Sequence, residues 1–338
     1  MVIFLSRKYT PFDIVMIITR TGNKGSFIYI DAKGNAPDKQ ALAYIKKLVI
    51  PPNYNNVSIF YQKVEPKILY QGYDSKGRLQ RIYSNSWTKK AAKKKFCELL
   101  NFAKKIKSIS LESRKQMMSV SHTKKKMVAL IIRLVAICYF RIGNRRYQEL
   151  YGSFGAMNIQ KRHIKITGGK LHISFSGKKG VLNTCEICDR SLICEIREIL
   201  KVRGATDMVF QWLDHGVLIP VRAIDINNWL KSFDTSITSK DFRTYDSNIL
   251  LIIFLRKLGD PRRMKASVRK KNIVTTLKYV SDKVHNTPAV LKKNYTQGGI
   301  VDMYLNKPAA FHRQFFGDAE PRVVFMDYLK KYCKDYFS

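Results

Sequence analysis

The sequence predicts an α+β protein, with a small β-rich N-terminal domain over residues 1–88 and a mainly helical domain over 89–338 that carries a β-hairpin. Three observations lead there. Up to Tyr83 the apolar residues fall in short β-branched or aromatic runs parted by turn residues. From Lys89 they recur at helical spacing instead. Farther on, Ile164, Ile166, Leu171, Ile173 and Phe175 alternate about the pair Gly168-Gly169.

In the first domain the strand runs are Ile28 to Ile30, Val57 to Tyr61 and Arg81 to Tyr83. The turn signals Thr21-Gly22-Asn23, Ala32-Lys33-Gly34 and Asp74-Ser75-Lys76-Gly77 separate them. The boundary is expected between Trp87 and Lys90, where strand chemistry gives way to charged helix. Lys89 to Lys107 reads as a Lys-rich helix whose apolar side is Phe96, Leu99, Leu100 and Phe102. Met127, Leu130, Ile131, Leu134, Val135 and Cys138 form a second stripe, a buried helix leading to Arg141. A two-glycine turn between alternating runs is a strong hairpin signal. The second strand runs into Gly177-Lys178-Lys179-Gly180, which sets a lysine on a turn. Lys240 to Tyr245 opens a further helix with its body at Asn248 to Leu255. No internal repeat is present.

At 338 residues, 45% of them hydrophobic, the chain can bury a sizeable core. Its 62 Lys and Arg against 25 acidic residues give a formal charge of +37, which points to nucleic acid as partner. A membrane is not expected: the longest apolar run, Met127 to Phe140, is too short to span and contains Arg133. Val2 to Leu5 make an apolar start without signal-peptide order, so the chain is not expected to be secreted. Six cysteines in this length argue against a disulfide framework. Cys185 and Cys188 form a CxxC with Cys194 nearby, but no second ligand pair follows, so reduced thiols are expected rather than zinc.

The segment Val284 to Tyr295 is the most telling. It places a tyrosine after Lys292-Lys293-Asn294 and close behind Thr287-Pro288. Tyrosine is a poor nucleophile at its usual pKa of about 10, so a reactive one needs cations around it. Upstream stand Arg141 at the end of the buried helix, Lys178 on its turn, Lys240-x-x-Arg243, and Asn286.

In that order, Arg141, Lys178, Lys240, Arg243, Asn286 and Tyr295 resemble the active site of the type IB DNA topoisomerases. Leu48 to Pro52 and Gly72 to Arg78 resemble the first domain of the small poxvirus and bacterial members. Gly152 to Gly155 and Lys161 to His163 resemble the segment before the hairpin in the bacterial type. The resemblance implies the type IB topoisomerase and tyrosine recombinase fold for the helical domain. It also implies that Tyr295 attacks one strand of duplex DNA to give a 3′-phosphotyrosyl link and a free 5′-hydroxyl. Resealing reverses the steps, so neither ATP nor a metal is expected as cofactor. Arg141 and Arg243 would pair with the non-bridging phosphate oxygens. Lys178 would protonate the leaving 5′-oxygen, assisted by Lys240. Poxvirus members have histidine where this chain has Asn286. Alignment on Thr287-Pro288 and Tyr295 selects Asn286 over the adjacent His285.

Tyr73, Lys76, Arg78, Gln80, Arg81 and Tyr83 interleave aromatic and basic groups on the last strands of the first domain. With Tyr147, the resemblance places them on DNA, Gln80 in a base-reading position. Arg262, Arg263, Lys265, Arg269, Lys270 and Lys271 are a basic run expected on phosphates. The implied architecture is a monomer closing as a clamp on duplex DNA. Abundant Lys, Ile, Asn and Tyr, with a poxvirus-like first domain beside bacterial-type motifs, point to a large DNA virus and so to virion and host-cell cytoplasm. Two alternatives stay open. A tyrosine recombinase usually has histidine at the Lys240 position and a helical first domain. A non-catalytic architectural protein would explain the charge alone.

Overall fold

The computed structural model describes residues 15–336 except 24, 63, 121 and 203–206; the apolar start at Val2 to Leu5 lies outside these. The chain divides into two compact units, Met1–Lys94 and Lys95–Ser338.

In the first unit, β1 (Met16–Thr21), β2 (Ile28–Ile30), β3 (Asn55–Tyr61), β4 (Ile68–Tyr73) and β5 (Leu79–Tyr83) form one antiparallel sheet of order β2-β1-β3-β4-β5. A helix that strand reading overlooked, α1 (Lys39–Lys47), packs Ala41 and Ile45 against Ile18, Val57, Ile59 and Tyr70. Asp38 caps it, accepting from the Ala41 N–H at 2.7 Å.

The long helix α2 (Asn85–Met117) contains the division between the units. It starts where the composition changes, yet its first turns are tied to the strand unit. Ser86 donates to Glu65 at 2.7 Å, and the Lys67 ammonium lies 4.1 Å from the Trp87 ring centroid. The change of composition therefore marks a helix start rather than the edge of a compact unit.

In the second unit α3 (Lys124–Cys138) is central. It was expected to bury one stripe, but Val128, Ala129 and Ile132 are buried as well. After α4 (Arg145–Tyr151) come β6 (Ile164–Thr167), β7 (Lys170–Ser176) and β8 (Leu182–Ile187). The expected hairpin is thus part of a three-stranded antiparallel sheet, with Lys178 in the turn between β7 and β8. Then follow α5 (Arg190–Lys201), β9 (Gln211–Asp214), β10 (Val217–Pro220), α6 (Ala223–Lys231) and α7 (Ser239–Lys257). The hairpin of β9 and β10, turning at His215-Gly216, is a second β element that the alternation about Gly168-Gly169 gave no reason to expect. Helices α8 (Ala266–Lys283), α9 (Pro288–Asn294), α10 (Gly298–Asn306), α11 (Pro308–Phe315) and α12 (Pro321–Tyr332) complete the unit. α3 packs on α6, α7, β8 and β9, which is why it has no solvent face of any width.

The expectation of reduced cysteines is overturned. Cys97 on α2 is bonded to Cys333 after α12, and Cys138 at the end of α3 to Cys185 on β8. These partners lie 236 and 47 residues apart, so no local spacing motif pairs them. Cys185 is withdrawn from the CxxC group, and Cys188 and Cys194 remain as exposed thiols. Among the described residues no helix is long and apolar enough to cross a membrane.

Candidate active site

The site grows from the way α3 ends. Tyr139 takes the left-handed conformation (φ 56°) and stops the helix, and the stretch Phe140 to Gly143 follows outside any helix or strand. A parallel segment braces it: the N–H groups of Ala156 and Met157 donate to the carbonyls of Arg141 and Ile142, each at 2.8 Å. The two segments meet through glycines. A β-carbon on Gly155 would collide with the Gly143 backbone, and one on Gly143, whose φ is +90°, with the Asn158 side chain. The backbone of Arg141 is therefore held on a rigid shelf.

Arg141 reaches to the segment after α8, where its guanidinium donates to the His285 carbonyl at 3.3 Å and to Asn286 Oδ1 at 2.6 Å. Arg243, in the second turn of α7, is almost fully buried. It donates to the Tyr139 carbonyl and, at 2.6 Å, to that of Val284. One arginine thus locks the end of α3 to the end of α8, and the other extends from that lock. Burial, and then the charge of Arg141, lower the Arg243 guanidinium to about 10, which leaves it charged at neutral pH.

Tyr295 follows directly on α9, whose start is set by Thr287 accepting from the Val290 N–H at 3.4 Å and by Pro288 in its first turn. The Arg243 guanidinium lies 5.4 Å from the centre of the Tyr295 ring. Burial works to raise the phenol's pKa, but the charges of Arg243 and Arg141 more than offset it, and the net direction is down.

A cleft of about 580 Å³ opens over these groups, with Arg141, Lys178, Lys240, Arg243, Tyr295 and Tyr147 in its wall. Five of the six catalytic candidates line it directly. The sixth, Asn286, joins them through Arg141, and its Nδ2 is buried with no partner among the described residues. His285 is buried beside it for another purpose. In a left-handed conformation (φ 51°), it sets Nε2 at 3.1 Å from the Cys138 carbonyl and its ring near Phe140. Burial first, and then Arg243 and Arg141, push His285 down to about 4.

Asn248 was passed over as part of an apolar helix body. Fully buried on α7, it donates to the carbonyls of Thr244 (2.7 Å) and Tyr295 (2.9 Å) and accepts from the Gln297 N–H (2.8 Å). Its signal was available: a buried-face asparagine in an apolar stretch needs partners. Lys95 on α2, which donates to the Asn294 carbonyl, carried no such signal among its neighbouring lysines.

The candidates of the first unit are less uniform than expected. Asp74 accepts from Arg78 and from Gln80 (2.9 Å), and Arg81 donates to Gln71 at 3.2 Å. Strand alternation puts Arg81 and Tyr83 on one face of β5 and Gln80 on the other, so the interleaved residues do not make one surface. Tyr73, Lys76 and Tyr83 are exposed. In the basic run Arg262 pairs with Asp260 at 2.7 Å. Arg269 is turned inward to the Leu305 carbonyl at 3.0 Å, because it sits where α8 meets α10; it is a structural residue rather than a phosphate contact.

The family model described as the catalytic core of eukaryotic DNA topoisomerase I matches residues 84–314, more than half of the chain. DNA topoisomerase 1B of Acanthamoeba polyphaga mimivirus is 29% identical over 94% of each chain. The DNA topoisomerase I of Monkeypox virus is 22% identical over 80% of this chain and 84% of its own length, as is the DNA topoisomerase 1B of Vaccinia virus, strain Copenhagen. All three relatives are proteins of large DNA viruses. The chain belongs to the type IB DNA topoisomerase family.

Proposed function

We propose that this topoisomerase opens one strand of duplex DNA with Tyr295 and reseals it by the reverse route. The Tyr295 oxygen bonds to the scissile phosphorus as the bond from phosphorus to the 5′-oxygen breaks. The phenol proton leaves to solvent, and Lys178 supplies a proton to the departing 5′-oxygen. The second N–H of each terminal nitrogen on Arg141 and Arg243, with Asn286 Nδ2, meets the charge that builds on the non-bridging oxygens. The aryl phosphate ester conserves the bond energy, so the cycle needs no ATP. Lys240, in the same wall, assists Lys178.

The observation that carries this reading is one cleft holding Tyr295, two guanidinium groups and the turn lysine, with the tyrosine favoured toward phenolate by the arginines. A +37 chain has the charge to hold duplex DNA. In our reading it acts as a monomer, its β-rich unit and catalytic unit closing on duplex as a clamp with Tyr73, Lys76, Arg81, Tyr83 and Tyr147 toward the DNA, while Arg78 and Gln80 are engaged by Asp74. It works in the virion and host-cell cytoplasm. Relaxation of a supercoiled plasmid in EDTA without ATP tests the assignment. The wild type should relax it and Tyr295→Phe should not; relaxation by Tyr295→Phe would remove Tyr295 from the mechanism.

A further inference from the structure

Tyr295 is held from two helices at once. The peptide that follows its Cα is gripped by Asn248 of α7, which donates to the Tyr295 carbonyl. The peptide that precedes it is gripped by Lys95 of α2, whose Nζ donates to the Asn294 carbonyl. With both flanking peptide planes fixed, the phenol keeps only its own side-chain torsions. The Asn294 carbonyl also ends α9, where a carbonyl has no partner inside the helix and bears the negative end of its dipole. An ammonium suits that place.

Lys95 brings a charge as well as a hydrogen bond. Its Nζ lies 5.8 Å from the centre of the Tyr295 ring and 4.9 Å from that of Phe96. Burial lowers the ammonium's pKa, and Tyr295 and then Asp241, which work to raise it, offset this only in part. The charged and titratable groups about the phenol therefore come from several elements. Arg243, Lys240 and Asp241 are on α7, Arg141 follows α3, Lys178 is on the β7–β8 turn, and Lys95 is on α2, where Glu98 in turn acts on Asp241. Asp241 is half-buried in the first turn of α7, where it accepts from the Thr238 N–H, and desolvation pushes it up.

From this geometry we infer that Lys95 is a positioning residue for strand cleavage and resealing, anchoring the backbone of Tyr295 and adding a third cation that favours its phenolate. The inference rests on Tyr295 being the nucleophile. Lys95 touches no reacting atom and acts through the tyrosine, on the nucleophile side of the reaction, whereas Lys178 acts on the leaving group. Fewer cations around the phenol raise the pH at which phenolate forms, so the limb of the cleavage rate that rises with pH moves to higher pH when Lys95 is neutralised.

The test is single-turnover cleavage of duplex DNA across a pH series, with melting temperatures in parallel, for the wild type, Lys95→Met, Lys95→Gln, Lys95→Arg and Tyr295→Phe. Lys95→Met should cleave roughly tenfold more slowly at neutral pH, with its limb displaced upward. Lys95→Gln keeps a donor for the Asn294 carbonyl without the charge; it should show the same displacement and serves if Lys95→Met fails to fold. Lys95→Arg should restore most of the rate. A 5′-sulfur leaving group should not rescue Lys95→Gln. Wild-type rate and limb in Lys95→Gln, or full rescue by sulfur, would overturn the role of Lys95. A covalent adduct formed by Tyr295→Phe would instead overturn the nucleophile.

Discussion

Arg141 donates to Asn286 Oδ1 at 2.6 Å, joining residues 145 apart in the chain. This contact orients the amide. With its oxygen turned to the guanidinium, Asn286 has both N–H groups of Nδ2 left to donate, and that nitrogen has no partner among the described residues. The neighbouring His285 is committed to the fold through the Cys138 carbonyl.

Asn286→Ala should therefore slow single-turnover cleavage by about 10²–10³, the scale for losing one donor to transition-state charge. His285→Ala should spare the chemical step but lower stability by about 1–3 kcal/mol, since it deletes a buried hydrogen-bonding group. The opposite ranking of cleavage rates would overturn the Asn286 assignment. Because an amide does not titrate, this position should add no transition near a pH of about 6.5 to the activity profile.

Lys178→Ala should be slow on ordinary DNA by about 10²–10⁴. It should be largely rescued when sulfur replaces the bridging 5′-oxygen, because a thiol of pKa about 8.5 leaves without a proton donor. Rates on paired substrates measure this, and an absence of rescue would confine Lys178 to holding the phosphate.

Asn248→Ala releases the Tyr295 carbonyl and leaves buried groups unsatisfied, which costs about 1–3 kcal/mol. The tyrosine must be in place for both directions, so cleavage and religation rates should fall together. A loss confined to one direction would speak against a positioning role.

Stability should respond to acid through two opposed groups. His285 is held down to about 4 in the folded chain and titrates near 6.5 when unfolded. Between those values the unfolded chain binds more protons, and stability falls as pH drops. Asp246 is pushed up to about 6, burial outweighing its ion pair with Arg322, against about 3.9 unfolded. Here the folded chain binds the proton first, so the same acidification is stabilising. Asp246→Asn removes that opposition and should steepen the loss of stability between pH 7 and 5 in denaturant titrations. Parallel curves for the two proteins would contradict the assignment.

Thiol titration of the denatured, unreduced chain should count two groups, Cys188 and Cys194. Six would mean that neither cross-link forms.

The elements were legible where the physics is local. Ile164, Ile166, Leu171 and Ile173 alternate because strand side chains alternate, and two adjacent glycines permit the turn between them. The apolar stripe of α3 was equally plain, although its full burial depends on α6 and α7 arriving from later in the chain. α1 and the β9–β10 hairpin went unseen, each being short and resting on packing more than on a long period. At the site, Arg141, Lys178, Lys240, Arg243 and Tyr295 could be named in order, and the fold lines one cleft with them. Asn248 and Lys95 could not, since what distinguishes each is a single partner far away.

By itself the sequence determined the charge that suits DNA, the change from strand to helix before residue 90, and the residue types able to carry out phosphoryl transfer. Tertiary structure alone decided how each cation is used. Arg269 is spent on a carbonyl of α10, Arg243 locks two chain segments beside Tyr295, and Lys95 reaches Asn294 across 199 residues. Periodicity and turn chemistry act over a few residues and leave a pattern in the chain. A side chain's partner depends on which distant backbone group packing brings within about 3 Å, and that distance has no image in spacing.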